Sequence, residues 1–150
     1  MNVLFVCTAN VCRSPIAAEI LNKLSKKVDI IADSAGITII PGSLPTEKSI
    51  SLLKDKLNID INDREAKQVS IKKLEKADIV LTMSSYSRDF IKEKFPKFKN
   101  KVYTITEYAG VKGGVTDPYG SSVVVYQKTY EELEELVSRV LDRIKKEGSM

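Results

Sequence analysis

The chain has 150 residues, 43% of them apolar and 29% charged, with a formal net charge of +4. That length suits one domain with a buried core, the balance excludes a disordered chain, and so mild a charge argues against nucleic acid as a partner. There is no histidine and there are only two cysteines, which excludes Ser–His and Cys–His nucleophilic machinery, a secreted-type disulfide framework and a structural zinc site. In chain order, residues 2–7 read as a strand, and Ile16, Ala17, Ile20, Leu21 and Leu24 mark one face of a following helix that Pro15 opens. Val28 to Ala32 is the expected second strand. Ile50, Leu53 and Leu57 give a helix face, with a shorter helix from Ile71 to Lys76. Ile79-Val80-Leu81 is the third strand, followed by a helix near 85–94 that ends before Pro96. Val102 to Ile105 is the fourth strand. The final helix carries Tyr126, Tyr130, Leu133, Val137, Val140 and Ile144 at spacings of three and four, with Ser121 or Ser122 as its cap.

Strands that alternate with helices imply βαβ units, right-handed crossovers and a parallel sheet covered on both faces, with ligands at the carboxyl ends of the strands. No repeat or domain boundary is visible, so 1–150 reads as one domain. No stretch approaches transmembrane length and the N-terminal apolar run lacks a basic leader, so the expectation is a cytoplasmic protein with no membrane partner. Gly148-Ser149-Met150 reads as a frayed tail. Lys92, Lys94, Lys97, Lys99 and Lys101 form a basic stretch, either a solvated face or a docking patch for acidic partners, the former preferred.

The chemistry concentrates in Cys7-Thr8-Ala9-Asn10-Val11-Cys12-Arg13-Ser14, directly after the first strand and before the first helix. Such a turn aims backbone N–H groups and the positive end of a helix dipole at one point, making an anion site. A cysteine beneath that point is favoured as the thiolate, and Arg13 can grip two oxygens of a tetrahedral oxyanion. The chemistry implied is attack by sulfur on a bound phosphate. Ser14 either hydrogen-bonds the sulfur or caps the helix. With no histidine, proton transfer falls to Asp or Glu. Asp117, in Asp117-Pro118-Tyr119-Gly120 before the last helix, either forms a turn or serves as that acid.

These two segments, in this order, resemble the low-molecular-weight protein tyrosine phosphatases over essentially the whole chain. Cys7 to Pro15 matches the family's phosphate loop and Asp117 to Gly120 its general-acid loop. The resemblance implies a three-layer α/β fold with a doubly wound, four-stranded parallel sheet and helices on both faces. It implies Cys7 as nucleophile, Arg13 as the phosphate clamp and Asp117 as general acid and base, with no metal and no cofactor. Thr8, Ala9, Asn10, Val11, Cys12 and Ser14 would hold the phosphate or line its site. Asn10 matches the loop asparagine that accepts a left-handed backbone and organises hydrogen bonds. Asp33-Ser34-Ala35-Gly36 resembles the segment whose serine, here Ser34, supports the loop together with Asn10 and Ser14. Tyr119 either walls the substrate ring or packs on its own loop.

Cys12, five residues from Cys7, is a candidate redox partner able to trap an oxidised Cys7 as a disulfide. The expected partners are phosphorylated proteins, with phosphate and similar oxyanions as ligands, acted on by a monomer. At Val11 the family's arginine-directed bacterial members carry threonine. Valine has that shape without the hydroxyl, which favours phosphotyrosine and leaves phosphoarginine as the alternative; the stretch from Asp117 to Leu136 closely resembles the arginine-directed bacterial members. Arsenate reductases of this fold need further cysteines outside the loop, and this chain has none. A non-catalytic phosphate-binding module would need neither nucleophile nor acid.

Overall fold

The computed structural model describes residues 1–148. Its elements are β1 (Asn2–Cys7), α1 (Arg13–Leu24), β2 (Ile31–Gly36), α2 (Glu47–Leu57), α3 (Ile71–Lys76), β3 (Ile79–Thr82), α4 (Ser85–Lys94), a 3-10 turn (Pro96–Lys101), β4 (Val102–Thr104), α5 (Ile105–Ala109) and α6 (Val123–Gly148). Ser149 and Met150 of the expected tail lie outside the described residues, while Gly148 closes α6.

Alternation along β1 sets the layers. Val3, Phe5 and Cys7 point into one cluster with side chains of α1, α2, α5 and α6; Leu4 and Val6 point into another with Leu74 of α3, Ile91 of α4 and Phe98. All four strands are parallel in the order β2-β1-β3-β4. The chain leaves β1 for a neighbour on one side and later returns to its other side, so the crevice beyond the carboxyl end of β1 is the switch point of the sheet. Cys7 stands there. This is the expected three-layer doubly wound architecture.

Several boundaries differ from expectation. The second strand is Ile31–Gly36, not 28–32, because Val28 belongs to an exposed turn after α1. The strand's second half is Asp33-Ser34-Ala35-Gly36, whose polar members, Ser34 facing Asn10 and Asp33 facing Lys67 and Lys73, break the apolar run that sequence patterning tracks. The fourth strand stops at Thr104, whose side chain and Glu107 form a reciprocal capping box that starts α5. Helix α1 begins at Arg13, so Pro15 is its third residue, still in the first turn where no N–H is needed. Leu24 is exposed at its end rather than on its buried face. Ser122 precedes α6, its hydroxyl accepting from Val125 N–H at 3.4 Å.

Lysines of the basic stretch lie over aromatic rings. Lys94 lies over Phe90 and Phe95, and Lys97 and Lys101 lie over Phe98. Among the described residues no helix is long and apolar enough to cross a membrane, and no cluster of three metal-ligating side chains occurs.

Candidate active site

The loop 8–12 wraps over the end of β1. Cys7 is buried at its centre, 4% exposed, with Thr8 exposed and Ala9 and Val11 half-buried above it. The Asn10 N–H turns inward and donates to Cys7 Sγ at 3.3 Å, a path that requires Asn10 to adopt φ 61°. Asparagine tolerates this left-handed backbone better than most residues. Ser14 Oγ lies 2.8 Å from Cys7 Sγ, so Ser14 serves the sulfur and not a helix cap; the cap position is Cys12.

A polar network fills the space beneath. The Asn10 amide donates to Ser14 Oγ at 2.8 Å and to Ser34 Oγ at 3.0 Å, and all three side chains are fully buried. Asn10, Ser14 and Ser34 thus form one hydrogen-bonded set beneath Cys7. The two residues after β2 also close on the loop through their backbone: Ile37 N–H donates to Cys7 O and Thr38 N–H to Thr8 O, each at 3.0 Å. Gly36 permits this closeness. A Cβ there would sit 2.9 Å from Thr8 O and 3.1 Å from the Ala9 carbonyl carbon.

Arg13, at the start of α1, is 7% exposed and donates through Nη1 to the Val115 carbonyl at 3.2 Å. Its Nη2 faces Asp117 Oδ2 at 3.8 Å. Asp117 is exposed, and its Oδ1 accepts from Tyr119 N–H at 3.2 Å. The turn-forming role of the Asp-Pro pair and the presentation of a carboxylate oxygen to the cleft thus coexist, Oδ1 serving the turn and Oδ2 facing Arg13. Tyr119 is 67% exposed, so its ring is not packed on its own loop; it lines the cleft. The cleft above Cys7 measures about 370 Å³ and is walled by Val11, Ile40, Leu44 and Tyr119, with Arg13 and Asp117 at its polar side. A sulfur at the floor, a guanidinium beside it and a carboxylate across the mouth suit in-line displacement at phosphorus with protonation of the departing group.

The family model described as low molecular weight phosphotyrosine protein phosphatase matches residues 2–150. The chain belongs to this family. It is 33% identical over 150 residues to a protein-arginine-phosphatase of Bacillus subtilis, covering 98% of this chain and 99% of that one. It is 35% identical over 140 residues to the low molecular weight protein-tyrosine-phosphatase PtpB of Staphylococcus epidermidis, covering 93% and 96%. A crystal structure of a low molecular weight protein tyrosine phosphatase from T. tengcongensis superposes with a TM-score of 0.92 at 39% identity, covering 95% and 99%. The protein is a protein phosphatase of this fold.

In this phosphatase Cys12 lines the cleft and its sulfur meets a hydroxyl cluster. Its Sγ lies 3.3 Å from Tyr126 Oη and 3.7 Å from Thr46 Oγ1, and Tyr126 Oη donates to Thr46 at 3.0 Å. Burial pushes the Cys12 thiol up from its ordinary value, against the opposing pull of the Tyr126 and Thr46 hydroxyls. Burial and the contact with Cys12 likewise push Tyr126 up to about 12. Both groups stay protonated at neutral pH, and both cysteines are free thiols.

Sequence reasoning missed several residues of the phosphatase site. Thr46 caps α2 and also donates its N–H to Val11 O at 3.1 Å, tying that helix to the loop. Glu132 of α6 holds Thr116 by its N–H at 3.2 Å and its hydroxyl at 3.0 Å, anchoring the loop that carries Asp117. Arg64 reaches Asn10 and Ser34 from a polar loop. Ile40 and Leu44 wall the cleft. A Thr-x-x-Ser capping spacing marked Thr46; the others enter only through tertiary packing.

Proposed function

We propose that the phosphatase hydrolyses phosphotyrosine in proteins through a cysteinyl-phosphate on Cys7. The carrying observation is the cleft itself, with Cys7 beneath it, Arg13 and Asp117 on one side and apolar walls on the other. Cys7 thiolate attacks phosphorus in line, while Arg13 and the loop amides of Thr8 to Ser14 hold the equatorial oxygens. The sulfur–phosphorus bond forms as the phosphorus–phenol oxygen bond breaks. Asp117 gives its proton to the departing oxygen, which as a phenol has a pKa near 10 and leaves poorly as the anion. Asp117 then takes a proton from water, whose oxygen displaces the Cys7 sulfur and releases phosphate. No metal or other cofactor enters any step.

The walls favour an aromatic substrate. Burying about 100 Å² of ring against Val11, Ile40, Leu44 and Tyr119 contributes roughly 2–3 kcal/mol at about 25 cal/mol per Å². A phosphoguanidinium would bring several N–H donors to these same walls, each costing about 1–3 kcal/mol if left unpaired. A second reading, phosphoarginine hydrolysis by the same steps, is favoured by the 33% identity to the Bacillus subtilis relative over nearly its whole length. The remaining reading is of a single-domain, cytoplasmic, monomeric enzyme, in which Cys12 protects an oxidised Cys7.

The deciding experiment is kcat/KM on matched phosphotyrosine and phosphoarginine peptides, with Cys7→Ser as the blank. The expected result is a preference for phosphotyrosine and no turnover by Cys7→Ser, which should still bind phosphate. A preference for phosphoarginine overturns the first reading in favour of the second. Turnover by Cys7→Ser overturns both.

A further inference from the structure

Arg64 lies between α2 and α3, and its guanidinium passes beneath the phosphate loop with the side chain 17% exposed. Nη1 donates to Asn10 Oδ1 at 2.9 Å, and Nη2 donates to the Ser34 carbonyl at 3.1 Å and to Ser34 Oγ. The Lys67 N–H donates to the same Asn10 oxygen at 2.9 Å. Asp33 stands 3.9 Å from Nη2. Burial pulls the Arg64 pKa down, while the charges of Asp33, Glu19 and Cys7 oppose that shift, and the group remains a cation.

The direction of the hydrogen bonds in the network follows from Arg64 and the Lys67 N–H together. A guanidinium and a backbone N–H can only donate. Two such groups on one terminal atom of Asn10 require that atom to be the oxygen. The amide nitrogen then faces Ser14 Oγ at 2.8 Å and Ser34 Oγ at 3.0 Å and donates to both. Ser14 Oγ, already accepting, keeps its own proton for another partner. Cys7 Sγ at 2.8 Å is nearer than the Ala35 carbonyl at 3.5 Å.

We propose that Arg64 is a positioning residue for Cys7: by fixing the orientation of the Asn10 side chain it makes Ser14 a hydrogen-bond donor to the sulfur. The proposal rests on the reading of Cys7 as nucleophile. A donor aimed at a sulfur stabilises its charged form, and one charge-assisted bond is worth about tenfold in the thiolate equilibrium. Without Arg64 the Asn10 amide loses one of the two donors that fix it. Were it to turn over, its oxygen would take the Ser14 proton away from the sulfur. Arg64 also adds a positive charge below Cys7. The other ionisable groups around Cys7 are Arg13 at the start of α1, Asp117 on the acid loop and the Cys12 thiol, while Asp33 of β2 and Glu19 of α1 face Arg64.

Two variants separate orientation from charge. Arg64→Met removes both, and Arg64→Lys keeps the charge without the two-pronged fork. The readouts are the rate of iodoacetamide alkylation of Cys7, with the modified site read by mass spectrometry, and the acid limb of kcat/KM. We expect Arg64→Met to lower alkylation about tenfold at mildly acidic pH, with the gap closing in alkali, and to move the acid limb to higher pH. Arg64→Lys should recover less than half of that loss on a logarithmic scale. Parental alkylation and an unmoved acid limb in Arg64→Met overturn the proposal, as does a fully parental Arg64→Lys, which would reduce the effect to charge alone. If Arg64→Met fails to fold, the Arg64→Lys profile still decides by the same criterion. Turnover by Cys7→Ser would sink the nucleophile reading instead; an inactive Cys7→Ser beside parental Arg64 variants would sink only the role of Arg64.

Discussion

Asp117 Oδ2 lies 3.8 Å from Arg13 Nη2, so the carboxylate at the cleft mouth faces the guanidinium proposed to hold the phosphate. The pair is lopsided: Arg13 is buried and tied to the Val115 carbonyl, whereas Asp117 is mostly exposed. An exposed partner contributes little to stability. The arrangement leaves the Asp117 carboxylate accessible at the cleft mouth, facing the Arg13 charge.

Asp117→Asn therefore tests chemistry with little effect on folding. General acid catalysis is worth about 10²–10⁴-fold. We expect kcat to fall by about that range on phenyl phosphate and by much less on p-nitrophenyl phosphate, whose leaving group needs no proton. Asparagine can still accept from Tyr119 N–H, so the turn persists. Equal losses on both substrates would show that Asp117 is not the acid.

Gly36 connects strand register to loop position. Gly36 pairs with Cys7, and a methyl group there would meet the Thr8 carbonyl and Ala9 backbone, which cannot rotate away, besides Ile39 Cγ2 at 2.7 Å, which can. Gly36→Ala should cost about 1–3 kcal/mol of stability, as overpacking does. It should also lower kcat/KM at least tenfold, because the displaced atoms belong to the phosphate loop. Thermal unfolding and kinetics on one preparation check both; a stable variant with parental kcat/KM would show that the loop absorbs the methyl group.

The two local motifs were legible because each is a short segment whose backbone and side chains make the site together. Cys7 to Ser14 places the proposed nucleophile, the proposed clamp and the turn between them within eight residues, and Asp117-Pro118-Tyr119-Gly120 carries its own turn. The fold class was legible for a similar reason, since the apolar cores of β1, β3 and the buried face of α6 follow simple periods. The second strand was misplaced because its working half, Asp33 to Gly36, is polar and small. Arg64 was invisible because nothing near it in sequence distinguishes it from a surface arginine. Its partners are 54 residues away at Asn10 and 30 away at Ser34.

Cys12 gives a redox prediction. Peroxide converts a Cys7 thiolate to the sulfenic acid; attack by the Cys12 sulfur then forms the disulfide and releases water. Cys12 must first leave Tyr126 and Thr46, and its raised pKa keeps it a thiol until then. Cys12→Ser should recover a smaller fraction of activity than the parent after peroxide followed by a dithiol. Equal recovery would leave Cys12 with a packing role only.

Asp33 makes stability depend on pH. Burial pushes its carboxyl up from 3.8, but the Ser34 N–H and the charges of Lys67 and Lys73 outweigh burial and hold it lower. Lys67 and Lys73 lie 3.7 and 3.4 Å away. A carboxyl whose pKa is depressed on folding stabilises the folded state above its unfolded value. That contribution disappears as pH falls through the folded value. The side chain is about half exposed, so screening limits the gain to roughly 0.5–1 kcal/mol. Asp33→Asn should thus melt slightly below the parent at neutral pH, and the two melting curves should converge in acid below the ordinary aspartate range. A gap in Tm that stays constant across that range would mean that Asp33 acts through packing or through its hold on β2, and not through its charge.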